Sequence, residues 1–290
     1  MRILLTNDDG VNATGLKVLE KIARIFSDDI WIVAPAEEQS GAGHSLTLTV
    51  PVRLRRLGER RFCVTGTPTD AVMMAIAWIM KDDPPDLILS GVNRGANLGE
   101  DVTYSGTVSA AMEGALAGIP SIALSQAYAR EGMGDTVAGP PSGRPGDERV
   151  RAAPQSAVVP RGHDDPLIPA PPPFAAAEAW ADRVLRPLLD APMAPRTLVN
   201  VNFPALTPDA VKGVRVVRQG IRDYGRLRID KRTDTRGYDY FWFGLRPVLH
   251  TPGHVTDLEA IADGYIAVTP LHLDLTHEES LEPLAALYSG

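Results

Sequence analysis

Across residues 2–6 the chain is apolar at Ile3, Leu4 and Leu5, and it then turns polar at Asn7, Asp8, Asp9 and Gly10. That is the pattern of a buried strand ending in a polar turn. Past Thr14 the apolar positions Leu16, Val18, Leu19, Ile22, Ala23 and Phe26 recur at helical spacing, and residues 29–35 (DIWIVAP) read as a second buried strand. A strand, a helix and a strand in about 35 residues form one right-handed βαβ unit, which requires a parallel sheet.

The alternation continues. Residues 69–81 are apolar at helical spacing, 86–90 (DLILS) predict a strand, 108–117 an alanine-rich helix and 121–125 (SIALS) another strand. Further on, 174–189 predict a helix, 197–203 (TLVNVNF) and 213–219 strands, and 253–267 a helix running into a strand. The fold class expected is α/β with a mostly parallel sheet, in which the loops after the strands near Arg2, Ile30 and Asp86 share the carboxyl edge where ligands bind. Between residues 130 and 173 prolines and glycines cluster and the periodicity disappears. Such a stretch buries too little apolar surface to offset its ordering entropy, so it reads as a surface insertion in a single domain spanning 1–290. Tyr238, Tyr240, Trp242 and Phe243 crowd together near the end. Aromatics this dense fit a core or a subunit interface better than a base-stacking surface.

Composition narrows the classes. A chain of 290 residues with 44% hydrophobic content can bury a sizeable core, and a formal net charge of −7 argues against binding a nucleic-acid polymer. Cys63 is the single cysteine, which excludes an intrachain disulfide and a cysteine-rich metal site. Its neighbours Phe62 and Val64 suggest a buried strand position, with no adjacent histidine or lysine to favour a thiolate. The early acidic residues leave no room for a signal peptide, and no apolar run approaches the roughly 20 residues of a membrane span. A cytoplasmic protein without membrane contact is expected.

Chemistry concentrates in three strand-end loops. Asp8 and Asp9 cannot both enter a core without a desolvation cost and mutual repulsion, so they fit either a solvated acidic turn or a site for a divalent cation. The second loop (AEEQSGAGHSL) carries Ser40, Gly41, Gly43, His44 and Ser45. Its glycines allow close backbone approach and its hydroxyls suit a metal or a phosphate. His44 suits a general acid or an ordinary polar loop position. The third loop (SGVNRGANLGEDVTYSGT) offers the Asn93 amide oxygen to a metal and Asn97 to a phosphate oxygen. It ends at Ser105, Gly106 and Thr107, where a helix begins, and reads as a plain cap or as an anion site. The lysine of a P-loop and the spacing of a dinucleotide fingerprint are both missing. Carboxylates, hydroxyls, amides and a helix N-terminus converging on one sheet edge suit metal-assisted phosphate hydrolysis.

These residues resemble the SurE family of survival proteins, which are 5′-nucleotidases. The likeness lies in MRILLTNDDG, TGTPTDAV, SGVNRGANLGEDVTYSGTVSAAMEG, NVNFP and TPLHLDLT, and it spans nearly the whole chain outside the proline-rich insertion. It implies a Rossmann-like core and one divalent cation per subunit, magnesium or manganese, held by Asp8, Asp9, Ser40 and Asn93. Asp8 and Asp9 become the catalytic residues, and Asn97, Ser105, Gly106 and Thr107 the phosphate-binding ones. The implied substrates are nucleoside 5′-monophosphates, with 3′-monophosphates and short polyphosphate as further candidates, and the implied assembly is a homodimer or homotetramer built partly through residues 220–290. An aspartyl-phosphate phosphatase of the haloacid dehalogenase type fits less well, because that class separates its two aspartates by one residue. A nucleotide-binding sensor without catalysis is the rival outside enzymes.

Overall fold

The computed structural model describes residues 1–128, 173–221, 227–245 and 255–289. Its centre is a nine-stranded sheet. In chain order the elements that build it are β1 (Ile3–Thr6), α1 (Thr14–Ala23), β2 (Ile30–Pro35), the hairpin β3 (Leu54–Gly58) and β4 (Arg61–Val64), α2 (Pro68–Met74), β5 (Leu87–Arg94), α3 (Gly106–Leu116), β6 (Ser121–Gln126), α4 (Ala175–Asp190), β7 (Thr197–Phe203) and β8 (Val214–Val216). A separate two-stranded hairpin, β9 (Leu227–Thr233) and β10 (Asp239–Leu245), follows, then α5 (Asp257–Ala262), β11 (Ile266–His272) and α6 (Leu281–Ala286).

The strand order is β3-β4-β2-β1-β5-β6-β7-β11-β8. From β4 to β7 every neighbour is parallel, while β3 and β11 run antiparallel to their inner partners. The chain therefore winds outward from β1 in one direction and from β5 in the other. The crevice between those two strands is the topological switch point of a doubly wound sheet. β1 is buried on both faces because it sits in the middle, which is why it is continuously apolar rather than alternating. α1 lies close over β5: a Cβ on Gly15 would stand 2.0 Å from the Val92 carbonyl oxygen.

Several elements differ from the pattern along the chain. The helix expected over 69–81 starts at Pro68, capped by Thr67, and its second half, Ala75–Ile79, winds as a π-helical turn. β5 does not stop at Ser90; after an irregularity it rejoins β6, with Asn93 opposite Ser125 and Arg94 opposite Gln126. The β3–β4 hairpin escaped pattern reading because its outer strand, LRRLG, is exposed and charged, as an unpaired sheet edge must be. Cys63 is buried in β4, as its neighbours suggested. The strand expected over 213–219 shortens to three residues.

The aromatic cluster is not core within one chain: Tyr238, Tyr240 and Trp242 are 71%, 42% and 42% exposed on the separate hairpin. The Phe243 side chain and residues 130–172 of the expected insertion lie outside the described residues. The rings of Tyr128 and Phe174, which flank that segment, meet edge to face at 5.9 Å. Among the described residues no helix is long and apolar enough to cross a membrane.

Candidate active site

Asp8 and Asp9 follow β1 directly, and Asn93 lies near the end of β5, so all three stand at the switch point. Asp8 is only 4% exposed. Its Oδ1 accepts a hydrogen bond from Thr107 Oγ1 at 2.5 Å, across 99 positions of sequence. α3 begins against the same carboxylate, since a Cβ on Gly106 would fall 2.7 Å from Asp8 Cβ and 3.0 Å from its Oδ2. Burial raises the Asp8 pKa to about 6; the Thr107 hydrogen bond opposes that rise and the charge of Asp9 adds to it. Burial also raises Asp9, against a 3.2 Å bond from the Arg94 N–H and the attraction of the Arg94 guanidinium, while Glu38 pushes it further up.

The neighbouring loops are tied to this pair. The Gln39 N–H donates to the Asp8 carbonyl oxygen at 2.8 Å, which ties the loop beside Ser40 to the backbone of Asp8. Ser40 Oγ donates to Glu38 Oε1 at 2.8 Å, and Glu38 also lies 3.7 Å from the Arg94 guanidinium. Asn93 Nδ2 donates to the Gly95 carbonyl at 3.0 Å. His44 pairs with Glu113 of α3 at 3.1 Å.

Asn97 is buried and held from several sides. Its backbone N–H donates to Asn202 Oδ1 at 2.8 Å, and its carbonyl accepts from Asn200 Nδ2 at 2.8 Å and Asn202 Nδ2 at 3.1 Å. Its own Nδ2 donates to Ser125 Oγ at 2.8 Å. Two residues on, buried Asp257 accepts the Gly99 N–H at 2.8 Å and, on its other oxygen, the Gly220 N–H at 2.8 Å. Ser105 is the N-cap of α3, its Oγ accepting the Val108 N–H at 3.1 Å. The cap and the anion-site readings of Ser105 to Thr107 are thus compatible, because a capped helix still offers its first amides and its dipole to an anion.

A sequence profile of the family described as "Survival protein SurE" matches residues 3–226. The chain belongs to the SurE family. It is 62% identical over 288 residues to 5′-nucleotidase SurE of Rhizorhabdus wittichii, covering 99% of this chain and 100% of the relative. It is 54% identical to 5′-nucleotidase SurE of Erythrobacter litoralis, with 97% of each covered. The crystal structure of SurE from Aquifex aeolicus superposes with a TM-score of 0.74 at 34% identity, covering 100% of both chains.

The SurE family is metal-dependent, and the residues at this switch point fit a cation. Among the described residues no three His, Cys, Asp or Glu side chains gather to hold one alone, so a cation at Asp8 and Asp9 would also take neutral oxygens or water. The Asn93 oxygen is one such group, and the Asn7 side-chain oxygen next to the pair is buried without a partner. Asp8 and Asp9 carry a burial penalty on their charged forms that the Thr107 hydroxyl and Arg94 offset only in part. A hard divalent ion that prefers oxygen ligands removes it.

Reading the sequence missed the supports of this site. Thr47, Thr67 and Asp70 form one hydrogen-bonded cluster; the T-x-x-D spacing of a capping box was its only local signal. Asn200 and Asn202, two apart in an otherwise apolar strand, were legible as polar groups on one buried face, which need partners.

Proposed function

We propose that this SurE-family protein is a metal-dependent phosphomonoesterase that hydrolyses nucleoside 5′-monophosphates to nucleoside and phosphate. The observation that carries this reading is the pair Asp8 and Asp9, raised in pKa and facing the N-terminus of α3 across the Thr107 hydrogen bond. Asp8, Asp9, Ser40 and Asn93 would hold one magnesium or manganese ion per subunit, which when bound would supply Lewis-acid polarisation of the phosphoryl group and a more acidic water.

Asn97, Ser105, Gly106 and Thr107 hold the phosphoryl oxygens, the helix dipole and first-turn amides favouring the charge that spreads over them in the transition state. A water oxygen attacks phosphorus in line and gives up its proton to solvent, and the ester P–O bond breaks with its electron pair leaving on the 5′-oxygen, which solvent protonates. A phosphorylated aspartate trapped by acid quench would replace this step with attack by Asp8 itself. The same site accommodates 3′-monophosphates and short polyphosphate, because the recognised group is the terminal phosphoryl. We place the enzyme in the cytoplasm as a homodimer or homotetramer, with residues 220–290 contributing to assembly.

Release of inorganic phosphate from AMP with manganese or magnesium, abolished by EDTA and by Asp8→Ala, is the expected result. Tight AMP binding without turnover under either metal would overturn it in favour of a nucleotide sensor.

A further inference from the structure

TGTPTDAV has no part in the chemistry above, yet its aspartate is buried and almost fully used. Asp70 is the N3 residue of α2 and closes a capping box with Thr67: its Oδ2 accepts the Thr67 N–H at 2.8 Å, and Thr67 Oγ1 accepts the Asp70 N–H at 3.1 Å. A cap needs nothing more. Asp70 nevertheless reaches 23 residues upstream, its Oδ1 accepting the Thr47 N–H at 3.0 Å and its Oδ2 the Thr47 hydroxyl at 2.6 Å. Thr67 reaches the same segment, its hydroxyl donating to the Ser45 carbonyl at 2.7 Å. Gly66 makes room for this arrangement, since a Cβ there would stand 2.5 Å from Asp70 Oδ2. The three donors that meet its carboxylate, the N–H and hydroxyl of Thr47 and the N–H of Thr67, outweigh its burial and hold its pKa below the usual carboxylate value.

The segment so gripped is the one that carries Ser40. Between β2 and β3 it crosses residues 36–53 without regular structure, and it is fastened at few points. Gln39 is bonded to Asp8 at one end, Gly43 N–H donates to the Tyr104 carbonyl at 3.2 Å and His44 pairs with Glu113 at 3.1 Å in the middle, Ser45 and Thr47 are held by the α2 cap beyond them, and Arg53 pairs with Thr65 at the far end. A loop stretched between the first carboxylate and the capping box has little freedom left at Ser40.

We infer that Asp70 is a positioning residue: through Thr47 and Thr67 it fixes the loop that presents Ser40 to the cation site. This rests on the proposed metal-dependent reading for its functional meaning, but not for its structural one. It predicts that loosening the Thr47 end costs metal affinity even though α2 and its cap remain intact.

The experiment compares wild type with Thr47→Val, which removes the hydroxyl bond to Asp70 without touching the helix, Thr47→Ser, which restores it, and Asp70→Asn. Hydrogen exchange of the metal-free proteins and titration with manganese alone are measured, together with kcat and KM for AMP. Thr47→Val is expected to exchange faster over 39–47 while 68–74 keep wild-type protection, and to bind manganese about tenfold more weakly, as loss of an outer partner does at metal sites. Thr47→Ser recovers both, and Asp70→Asn shows the same loss together with exposure of the α2 cap. Unchanged exchange over 39–47 in both Thr47→Val and Asp70→Asn overturns the inference, as does unchanged manganese affinity in them. If the exchange and manganese results hold while no variant and no wild type releases phosphate from AMP, the positioning role stands and the phosphatase reading fails.

Discussion

Asn202 Oδ1 accepts the backbone N–H of Asn97 at 2.8 Å and Asn202 Nδ2 donates back to the Asn97 carbonyl at 3.1 Å, so one buried side chain pairs with both backbone polar groups of a residue 105 positions away. This two-way clamp sets the backbone of the loop between β5 and α3. It ties the last parallel strand, β7, to the residues read as phosphate-binding.

Asn202→Ala leaves the Asn97 N–H unpaired in a dry interior, at a cost of about 1–3 kcal/mol. Asn202→Asp is expected to be no better, because a carboxylate still accepts the N–H but cannot donate to the carbonyl. Urea denaturation should show both variants destabilised, with KM for AMP raised more than kcat falls. An Asn202→Asp protein as stable as wild type would remove the clamp from the account.

Gly106→Ala reverses the usual sign of a glycine-to-alanine change in a helix, which favours alanine by about 1 kcal/mol. The added methyl meets Asp8 Cβ at 2.7 Å and both Asp8 Oδ2 and Pro68 Cγ at 3.0 Å. α3 must withdraw from the carboxylate, and kcat/KM is expected to fall about 100-fold. Steady-state kinetics beside a melting curve checks this; full activity with a higher Tm would show that α3 yields without harm.

Metal and proton compete for Asp8. With its folded-state pKa raised to about 6, chiefly by burial, from an ordinary 3.8, the group favours the folded metal-free protein below pH 3.8, and that contribution is lost as pH rises through about 6. A cation binds the ionised form and restores what is lost. Manganese is therefore expected to raise Tm clearly at pH 7.5 and far less at pH 5, with EDTA abolishing both shifts; calorimetry giving equal shifts at the two values contradicts the assignment.

Exposed aromatics on the β9–β10 hairpin make an apolar surface that a monomer leaves in water. The paired substitutions Tyr240→Ser and Trp242→Ser are expected to lower the mass seen by light scattering toward that of the 31.2 kDa monomer. Tm should fall little by comparison with core changes. An unchanged mass would place the assembly surface elsewhere.

The amino-acid sequence by itself determined the elements whose signal is local. β1, α1 and β2 follow from burial on both faces or on one helical stripe, and Asp8 and Asp9 stand out as a carboxylate pair at the end of a buried strand, which fits an acidic turn as well as a cation site. The long glycine and asparagine strings carried the family. What the chain could not disclose is which polar group meets which. Thr107 finds Asp8, Asn97 finds Asn202 and Thr47 finds Asp70 only because the order β4-β2-β1-β5-β6-β7 brings these ends together. Hydrophobic periodicity records which face of an element is buried, but a serine, threonine or asparagine carries no record of its partner. The βαβ pattern already put the three polar loops at one sheet edge, but only the tertiary structure decided their pairings, which depend on strand order and on helix approach, neither of which is encoded in any short window of sequence.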